Sequence, residues 1–295
     1  MSSLTIHHRP RLRNPILVTA FLGWNDAAES ASGALRYLRR HGRTVPFAEI
    51  DPDEFFVFTE QRPQVRFADG QTREIRWPLT DFTTMEPEHG EHDLILALGT
   101  EPNLRWKAFA GLVLELAREM QVEEIVTLGA LLADTPHTRP VPLTGGASDP
   151  ARAEELGFEP STYEGPTGIV GALSDALRRA KMPQISLWAS VPHYVSGRQN
   201  PRATLALLRR LSDIYSLGLD LDNLTARSRR YEAQVTEALK RNPEMQEYVN
   251  KLEAASEDGS DEMPGHPLRS SDVLREVDRL LRGDESQDPD LPPHV

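Results

Sequence analysis

A strand pattern followed at once by a helix pattern limits the possible folds of this chain more than any other feature. Residues 15–22 form an unbroken apolar run that ends at Gly23. From Ala27 onward, apolar residues recur at helical spacing on one face, and Arg36, Arg39 and Arg40 lie off that face. An apolar run of this kind, closed by a glycine turn, is typical of a strand covered on both faces, as in a parallel sheet. The sequence therefore predicts a strand–turn–helix unit over residues 15–41.

The same order recurs along the chain. Further apolar strand patterns occupy residues 45–50, 94–98, 125–128 and 185–191, and helix patterns occupy residues 103–120, 169–180 and 201–217. Alternation of strands and helices predicts an α/β fold with a mostly parallel sheet. Residues 65–77 predict a hairpin with an Asp69-Gly70 turn, which would make the sheet mixed. Residues 54–58 fit either a strand or a short helix, and residues 131–150 are expected to form a long functional or partner-contacting loop.

The pattern changes after residue 220. We expect an α/β domain over residues 1–220, a helical extension over 221–255 that is interrupted at Pro243, and an acidic, largely disordered tail over 256–295. The tail has a net charge of −7. It also holds one amphipathic stretch with apolar residues at Val273, Leu274, Val277, Leu280 and Leu281. This tail either docks on a partner or only keeps the chain soluble.

Composition excludes several classes of function. The chain of 295 residues carries a net charge of −12 and no basic patch, which argues against nucleic acid as the main ligand. It has no cysteine, so disulfides, thiolate metal sites and cysteine nucleophiles are excluded. No apolar stretch approaches the ~20 residues of a membrane helix, and no signal-peptide pattern follows the polar start. We expect a cytoplasmic protein with no membrane partner.

Polar and aromatic residues follow the predicted strands or open the predicted helices. Because ligands bind at the carboxyl ends of parallel strands, these residues should line one crevice. The candidate ligand-binding residues are Trp24, Asn25, Asp26, Thr100, Glu101, Arg105, His137, Arg139, Thr167, Gly168, His193 and Tyr194. Thr167 and Gly168 would offer backbone amides to an anion. The alternative role of each residue is to cap a helix or fix a loop. No phosphate loop, dinucleotide turn or nucleophile elbow is present in the sequence, and we predict no cofactor and no metal.

Five motifs, at residues 23–28, 98–102, 127–130, 163–168 and 191–194, together resemble the proteasome assembly chaperone 2 family. The sequence is most similar to its actinobacterial branch of uncharacterised proteins, and the resemblance covers roughly residues 10–255. It implies a three-layer α/β/α sandwich of the phosphorylase/hydrolase-like type and an oligomeric protein. Relatives in archaea and eukaryotes help proteasome α-subunits assemble, and some dock through a C-terminal hydrophobic-Tyr-any motif. This chain ends in Pro293-His294-Val295, without that tyrosine, so docking by that route is not expected.

Two hypotheses follow. The first is a non-catalytic, oligomeric protein of assembly-chaperone-like or scaffold type. Its partners would be itself, with a trimer as the first expectation, and proteasome subunits or another protein. The alternative is a small-molecule binder or enzyme with a nucleoside-like or anionic ligand in the strand-end crevice. Asp26, Glu101 and His193 would then be the acid–base candidates, and Arg105 and Arg139 would hold negative charge. The absence of catalytic motifs favours the first hypothesis.

Overall fold

A mixed β-sheet lies at the centre of the computed structural model, which describes residues 3–68, 72–195, 197 and 199–258. Within these residues the strands are β1 (Leu4–Ile6), β2 (Ile16–Leu22), β3 (Thr44–Ile50), β4 (Gln64–Ala68), β5 (Thr72–Arg76), β6 (Thr80–Met85), β7 (Leu94–Thr100), β8 (Glu124–Ala133), β9 (Leu143–Ala147) and β10 (Gln184–Pro192). The helices are α1 (Ser30–His41), α2 (Trp106–Glu119), α3 (Pro150–Glu155), α4 (Ile169–Arg179), α5 (Pro201–Tyr215), α6 (Asp222–Leu239) and α7 (Pro243–Asp258). Short 3-10 turns occupy Ala27–Glu29 and His193–Val195.

The strand order in the main sheet is β1-β3-β6-β7-β2-β8-β10-β9. Its four central strands, β7, β2, β8 and β10, run parallel to one another. The pairs outside this centre, on both sides, are antiparallel. The predicted α/β fold with a mixed sheet is confirmed, and its parallel part is confined to these four strands.

Both faces of the sheet are covered, as the unbroken apolar runs predicted. Successive side chains of a strand point to opposite faces, and on β2 both Leu17 and Val18 are completely buried. Val18 packs in the cluster that contains the buried residues of α1 and α5, and Leu17 packs in the cluster of α2 and α4. Burial of one such side chain contributes about 1.5–3 kcal/mol. The result is three layers, with helices on both sides of the sheet.

The predicted hairpin is present, but it is not part of the main sheet as the sequence predicted. β4 and β5 are antiparallel, but they form a separate two-stranded sheet rather than part of the main one. The main sheet is mixed because of β1, β6 and β9 instead. The predicted Asp69-Gly70 turn lies outside the described residues. Residues 54–58 form neither the strand nor the helix that the sequence allowed. They are turn and irregular backbone that buries Phe55 and Phe56.

The segment 131–150 is not the loop that the sequence predicted. β8 continues to Ala133, because β10 pairs with it along its whole length. β9 then adds to the other side of β10, and α3 begins at Pro150. Gly145 on β9 lies directly under a ring, since a Cβ there would be 2.5 Å from the Cε1 of Phe158. A Leu-Thr-Gly-Gly-Ala sequence has little strand propensity of its own, so the strand depends on its neighbours.

α6 and α7 follow the sheet in sequence, and the break at Pro243 occurs where the sequence predicted it. α6 packs against α5. α6 and α7 together form most of a third apolar cluster. That cluster also contains Tyr194 and Val195, which follow β10. The tail beyond residue 258 lies outside the described residues. None of the helices in the described part of the chain is long and apolar enough to cross a membrane.

Candidate functional site

The four parallel strands end at one edge of the sheet, which we call the carboxyl edge. The sequence predicted one crevice there, but hydrogen bonds divide the candidate residues into two clusters. The Glu101 cluster consists of Trp24, Asn25, Glu101 and Gly168. The His137 cluster consists of His137, His193 and Tyr194, joined by Asp134, Thr236 and Tyr248. No hydrogen bond among the described residues joins the two clusters.

Glu101 is the centre of the first cluster. Its amide donates to the carbonyl of Leu22 at 2.8 Å, which fixes it at the ends of β7 and β2. Its Oε1 accepts from the Asn25 Nδ2 at 3.0 Å and from the Ile169 amide at 2.8 Å. Its Oε2 accepts from the Trp24 amide at 3.3 Å. The carboxylate therefore lies at the N-terminus of α4, where an anionic ligand would bind, and stabilises the helix dipole.

Gly168 is required by the closeness of this packing. A Cβ at Gly168 would lie 2.2 Å from the Asn25 Nδ2 and 2.5 Å from the Glu101 Oε1. The Thr167 side chain packs against Gly171 in the first turn of α4. A Cβ built on Gly171 would lie only 1.9 Å from the Thr167 Oγ1. The two residues predicted to cradle an anion thus contact the chain itself.

Asp26 holds the start of α1. Its Oδ1 accepts from the amides of Ala31 and Ser32 at 2.7 and 3.1 Å. Its Oδ2 is buried with no hydrogen-bond partner among the described residues. Burial raises the pKa of Asp26, and the bonds from Ser32 and Ala31 oppose that rise. The predicted helix start at Ala27 is wrong by three residues, because Ala28 and Glu29 have left-handed φ angles of 50° and 46°.

His137 is buried between the sheet and α6. Its backbone amide donates to the Tyr194 hydroxyl at 2.8 Å, and its Nδ1 lies 3.0 Å from the same oxygen. Its Nε2 lies 3.0 Å from the Thr236 Oγ1, whose own proton goes to the Glu232 carbonyl. Because the Thr236 hydroxyl proton is already used, its oxygen must accept from Nε2–H. His137 is therefore assigned the Nε2–H tautomer, and Nδ1 accepts from the Tyr194 hydroxyl. Burial, reinforced by Arg202 and opposed by Glu253, lowers the pKa of His137 to about 4.

His193 lies in the same cluster and contacts α7. Its Nδ1 lies 3.0 Å from the Asp134 Oδ1, and the Tyr248 hydroxyl donates to that oxygen at 2.9 Å. Sequence reasoning missed Tyr248 and Thr236, because they lie on helices that follow the sheet in sequence. One signal was available for Tyr248: a tyrosine on the apolar stripe of a helix usually needs a partner for its hydroxyl.

Arg105, Arg139 and Thr100 each contact another part of the chain. Arg105 pairs with Glu54, with 2.6 Å between Nη1 and Oε1. The carbonyl of Arg139 accepts from the Arg202 Nη2 at 2.8 Å. Thr100 is the last residue of β7 and pairs with Leu22 of β2. The arrangement at the carboxyl edge is thus one of caps and interlocking loops.

The carboxyl edge also carries most of the exposed apolar surface. Ten large hydrophobic side chains are exposed among the described residues, and nine of them lie on the segments at this edge. These nine, which we call the apolar edge, are Trp24, Val65, Phe67, Ile75, Trp77, Leu104, Leu131, Leu132 and Tyr163. The tenth, Val45, lies near the start of β3, at the opposite edge. Trp24 is 63% exposed, so it covers no core.

Comparison with known proteins gives one family. The model of the PAC2 family matches residues 20–239. A PAC2 family protein from Streptomyces avermitilis is 45% identical, with a TM-score of 0.75 over 80% of this chain and 99% of that one. A proteasome-assembly chaperone homologue from Mycobacterium tuberculosis is 41% identical, with a TM-score of 0.73 over 79% and 99% of the two chains.

A more distant structure shares the fold. It is an archaeal proteasome activator from Pyrococcus furiosus, which is 18% identical, with a TM-score of 0.65 over 79% of this chain and 97% of that one. No curated protein matches the chain. The two more similar structures both come from actinobacteria, in agreement with the branch predicted from the five motifs.

Proposed function

Because this chain belongs to the PAC2 family, we propose that it is a non-catalytic, oligomeric protein of assembly-chaperone-like or scaffold type. The observation that carries this proposal is the apolar edge. Exposed apolar side chains scattered singly are normal, but their concentration on one side of a protein marks an interaction surface. We infer that this protein makes its contacts with other proteins there.

The size of the apolar edge suits a stable interface. A half-exposed large side chain offers on the order of 100 Å² of apolar surface. Nine of them offer roughly as much as the ~800 Å² that each partner contributes to a standard protein–protein interface. The first partner we propose is a second copy of the chain, with a trimer as the expected assembly. Proteasome subunits are the second, since the Mycobacterium tuberculosis relative is described as a proteasome-assembly chaperone homologue.

The alternative hypothesis, a small-molecule enzyme, receives less support from the geometry. Each of its three acid–base candidates is held in a separate set of bonds. Glu101 accepts from three donors, Asp26 accepts from two helix amides, and His193 pairs with Asp134. Groups engaged in this way serve as structural caps and links, so we propose no catalytic role for them.

Light scattering coupled to size exclusion tests the proposal. We expect the wild type to form a defined oligomer. The oligomer of the double variant Trp24→Ser, Leu132→Ser should dissociate at protein concentrations at least about tenfold higher than that of the wild type, because each lost apolar contact costs about 1–2 kcal/mol. The matched control is Val45→Ser, which removes an equally exposed side chain from the opposite edge. A monomeric wild type, or equal behaviour of both variants, would overturn self-association through the apolar edge.

Capture of partners from native lysate tests the second part. Stoichiometric recovery of proteasome subunits with the wild type and the Val45→Ser control, but not with the edge variant, would identify them as a partner. Recovery by all three proteins alike would place the contact elsewhere on the surface.

A further inference from the structure

The separate hairpin has one apolar face that the described residues leave largely exposed. In the register of β4 and β5, Val65 lies opposite Ile75, and Phe67 lies opposite Arg73. Because alternate residues of a strand share a face, these four side chains are neighbours. Val65, Phe67 and Ile75 are 59%, 61% and 56% exposed. An isolated two-stranded hairpin is at best marginally stable in water, so this face is one that a further segment would stabilise.

The hairpin is also basic within an acidic protein. Residues 62–77 contain four arginines, Arg62, Arg66, Arg73 and Arg76, and two acids, Asp69 and Glu74, in a chain of net charge −12. Among the described residues, no carboxylate pairs with any of these arginines, and Arg73 lies over the ring of Phe67 at 5.5 Å. Arg73 shares the apolar face, whereas Arg66 and Arg76 point to the other face of the hairpin. A segment that is apolar on one side and acidic beside it is complementary to an apolar face with one cation on it and two behind it.

We propose that residues 270–290 of the same chain bind this hairpin face. Val273, Val277, Leu280 and Leu281 recur at helical spacing, which would give a helix with one apolar stripe. Residues 283–290 then carry four acids and no base. The apolar stripe would cover Val65, Phe67 and Ile75, and the acidic stretch would lie against the arginines. Two hairpins facing each other would instead bring like charges together.

From the end of α7, residues 270–290 are able to reach the hairpin. α7 is fixed at the carboxyl edge by the bond of Tyr248 to Asp134 and by that of Thr138 to Glu253. The hairpin leaves from the same edge, between β3 and β6. The strand order places β6 four strand spacings from β10, which is roughly 20 Å. Residues 259–269 can span up to about 35–40 Å, so they bridge this gap without strain.

Binding within one chain also needs little affinity. A short linker gives the second site an effective concentration on the order of millimolar, well above that of a second copy in a micromolar solution. Val65, Phe67 and Ile75, which the tail would cover, are themselves part of the apolar edge. A bound tail would therefore shield part of the apolar edge from other proteins. This inference goes beyond the proposed function: a bound tail would leave the six other side chains of the apolar edge to a partner, and separate measurements test the two.

Disulfide trapping tests the contact in the full chain, which has no cysteine of its own. The trapping pair is Ile75→Cys with Leu280→Cys, and the matched control is Val45→Cys with Leu280→Cys at the opposite edge. We expect an intramolecular disulfide on mild oxidation at micromolar protein, in at least about tenfold higher yield for the trapping pair. Linkage between two chains only would assign the face to a second copy. A yield equal to that of the control would show that the tail does not bind it.

Amide hydrogen exchange of the full chain without cysteines gives a second, independent reading. In the variant Val277→Asp, Leu280→Asp, we expect residues 64–76 to exchange about tenfold faster or more than in the wild type, because the covering segment is lost. Leu268→Asp, which lies in the same tail outside the stripe, should leave the exchange unchanged. Equal exchange of the hairpin in all three proteins would overturn the inference. Light scattering on the same samples reports self-association separately.

Discussion

The carboxylate of Glu101, at the end of one strand, accepts the amide of Ile169 at the start of α4, 68 residues further along the chain, at 2.8 Å. The same oxygen accepts from the Asn25 side chain. One residue thus joins the ends of β7 and β2 to a helix on the face of the sheet. This bond gives Glu101 a structural role in the cluster where sequence reasoning predicted a ligand.

Replacement of Glu101 is expected to destabilise the fold. Glu101→Ala would leave the Ile169 amide and the Asn25 Nδ2 without their acceptor, at a cost of about 1–3 kcal/mol in the free energy of unfolding. Urea unfolding measures the change. Glu115→Ala, on the exposed side of α2, is the control and should change stability by less than about 0.5 kcal/mol. A Glu101→Ala protein as stable as that control would contradict the capping role.

Two glycine-to-alanine changes should have opposite signs. Gly168→Ala places a methyl group 2.2 Å from the Asn25 Nδ2, and the forced shift should lower the free energy of unfolding by about 1–3 kcal/mol. Gly111→Ala, within α2, meets nothing within 4 Å and should raise it by about 0.5–1 kcal/mol, because alanine favours a helix. Denaturant unfolding of both variants decides the matter. Loss of stability in both would mean that the space around these glycines is not the cause.

The stability of the folded state should depend on pH through His137. Its pKa falls from 6.5 to about 4 on folding, so between these values the unfolded chain binds more protons. The free energy of unfolding should therefore rise with pH across this window. The stability that depends on neutral His137, on the order of 3 kcal/mol, is fully present above about pH 6.5 and is lost as the pH falls toward 4. Urea unfolding from pH 4.5 to 7 measures the slope. His137→Gln should flatten it, and an unchanged slope in that variant would assign the effect to other groups.

The bond from Tyr248 to Asp134 should hold α7 on the body of the protein. Tyr248→Phe removes the donor and leaves the buried ring, so we expect a loss of about 1 kcal/mol and faster amide exchange over residues 243–258. Tyr163→Phe makes the same chemical change at an exposed bond to the Pro166 carbonyl and should have little effect. Exchange in α7 that is the same in both variants would show that apolar packing alone holds the helix.

Sequence reasoning found the elements that depend on local pattern. The run over 15–22 became β2, and the helix at 169–180 became α4 within one residue, because burial leaves a periodic trace along the chain. It missed β9, whose two glycines give no strand signal, since that strand exists through its pairing with β10. It also placed Arg105 in a shared crevice, whereas the guanidinium pairs with Glu54.

The sequence by itself determined the α/β class, the four central parallel strands and the family, because hydrophobic periodicity and short motifs depend on residues close together in the chain. Only the tertiary structure decided which polar groups meet. Glu101 finds Asn25 and Ile169, and His137 finds Thr236 on α6, across separations of 68 to 99 residues. It also decided that the exposed apolar side chains gather at one edge. The reason is that hydrogen-bond partners and exposed surfaces depend on the order of strands in the sheet, which no local pattern records.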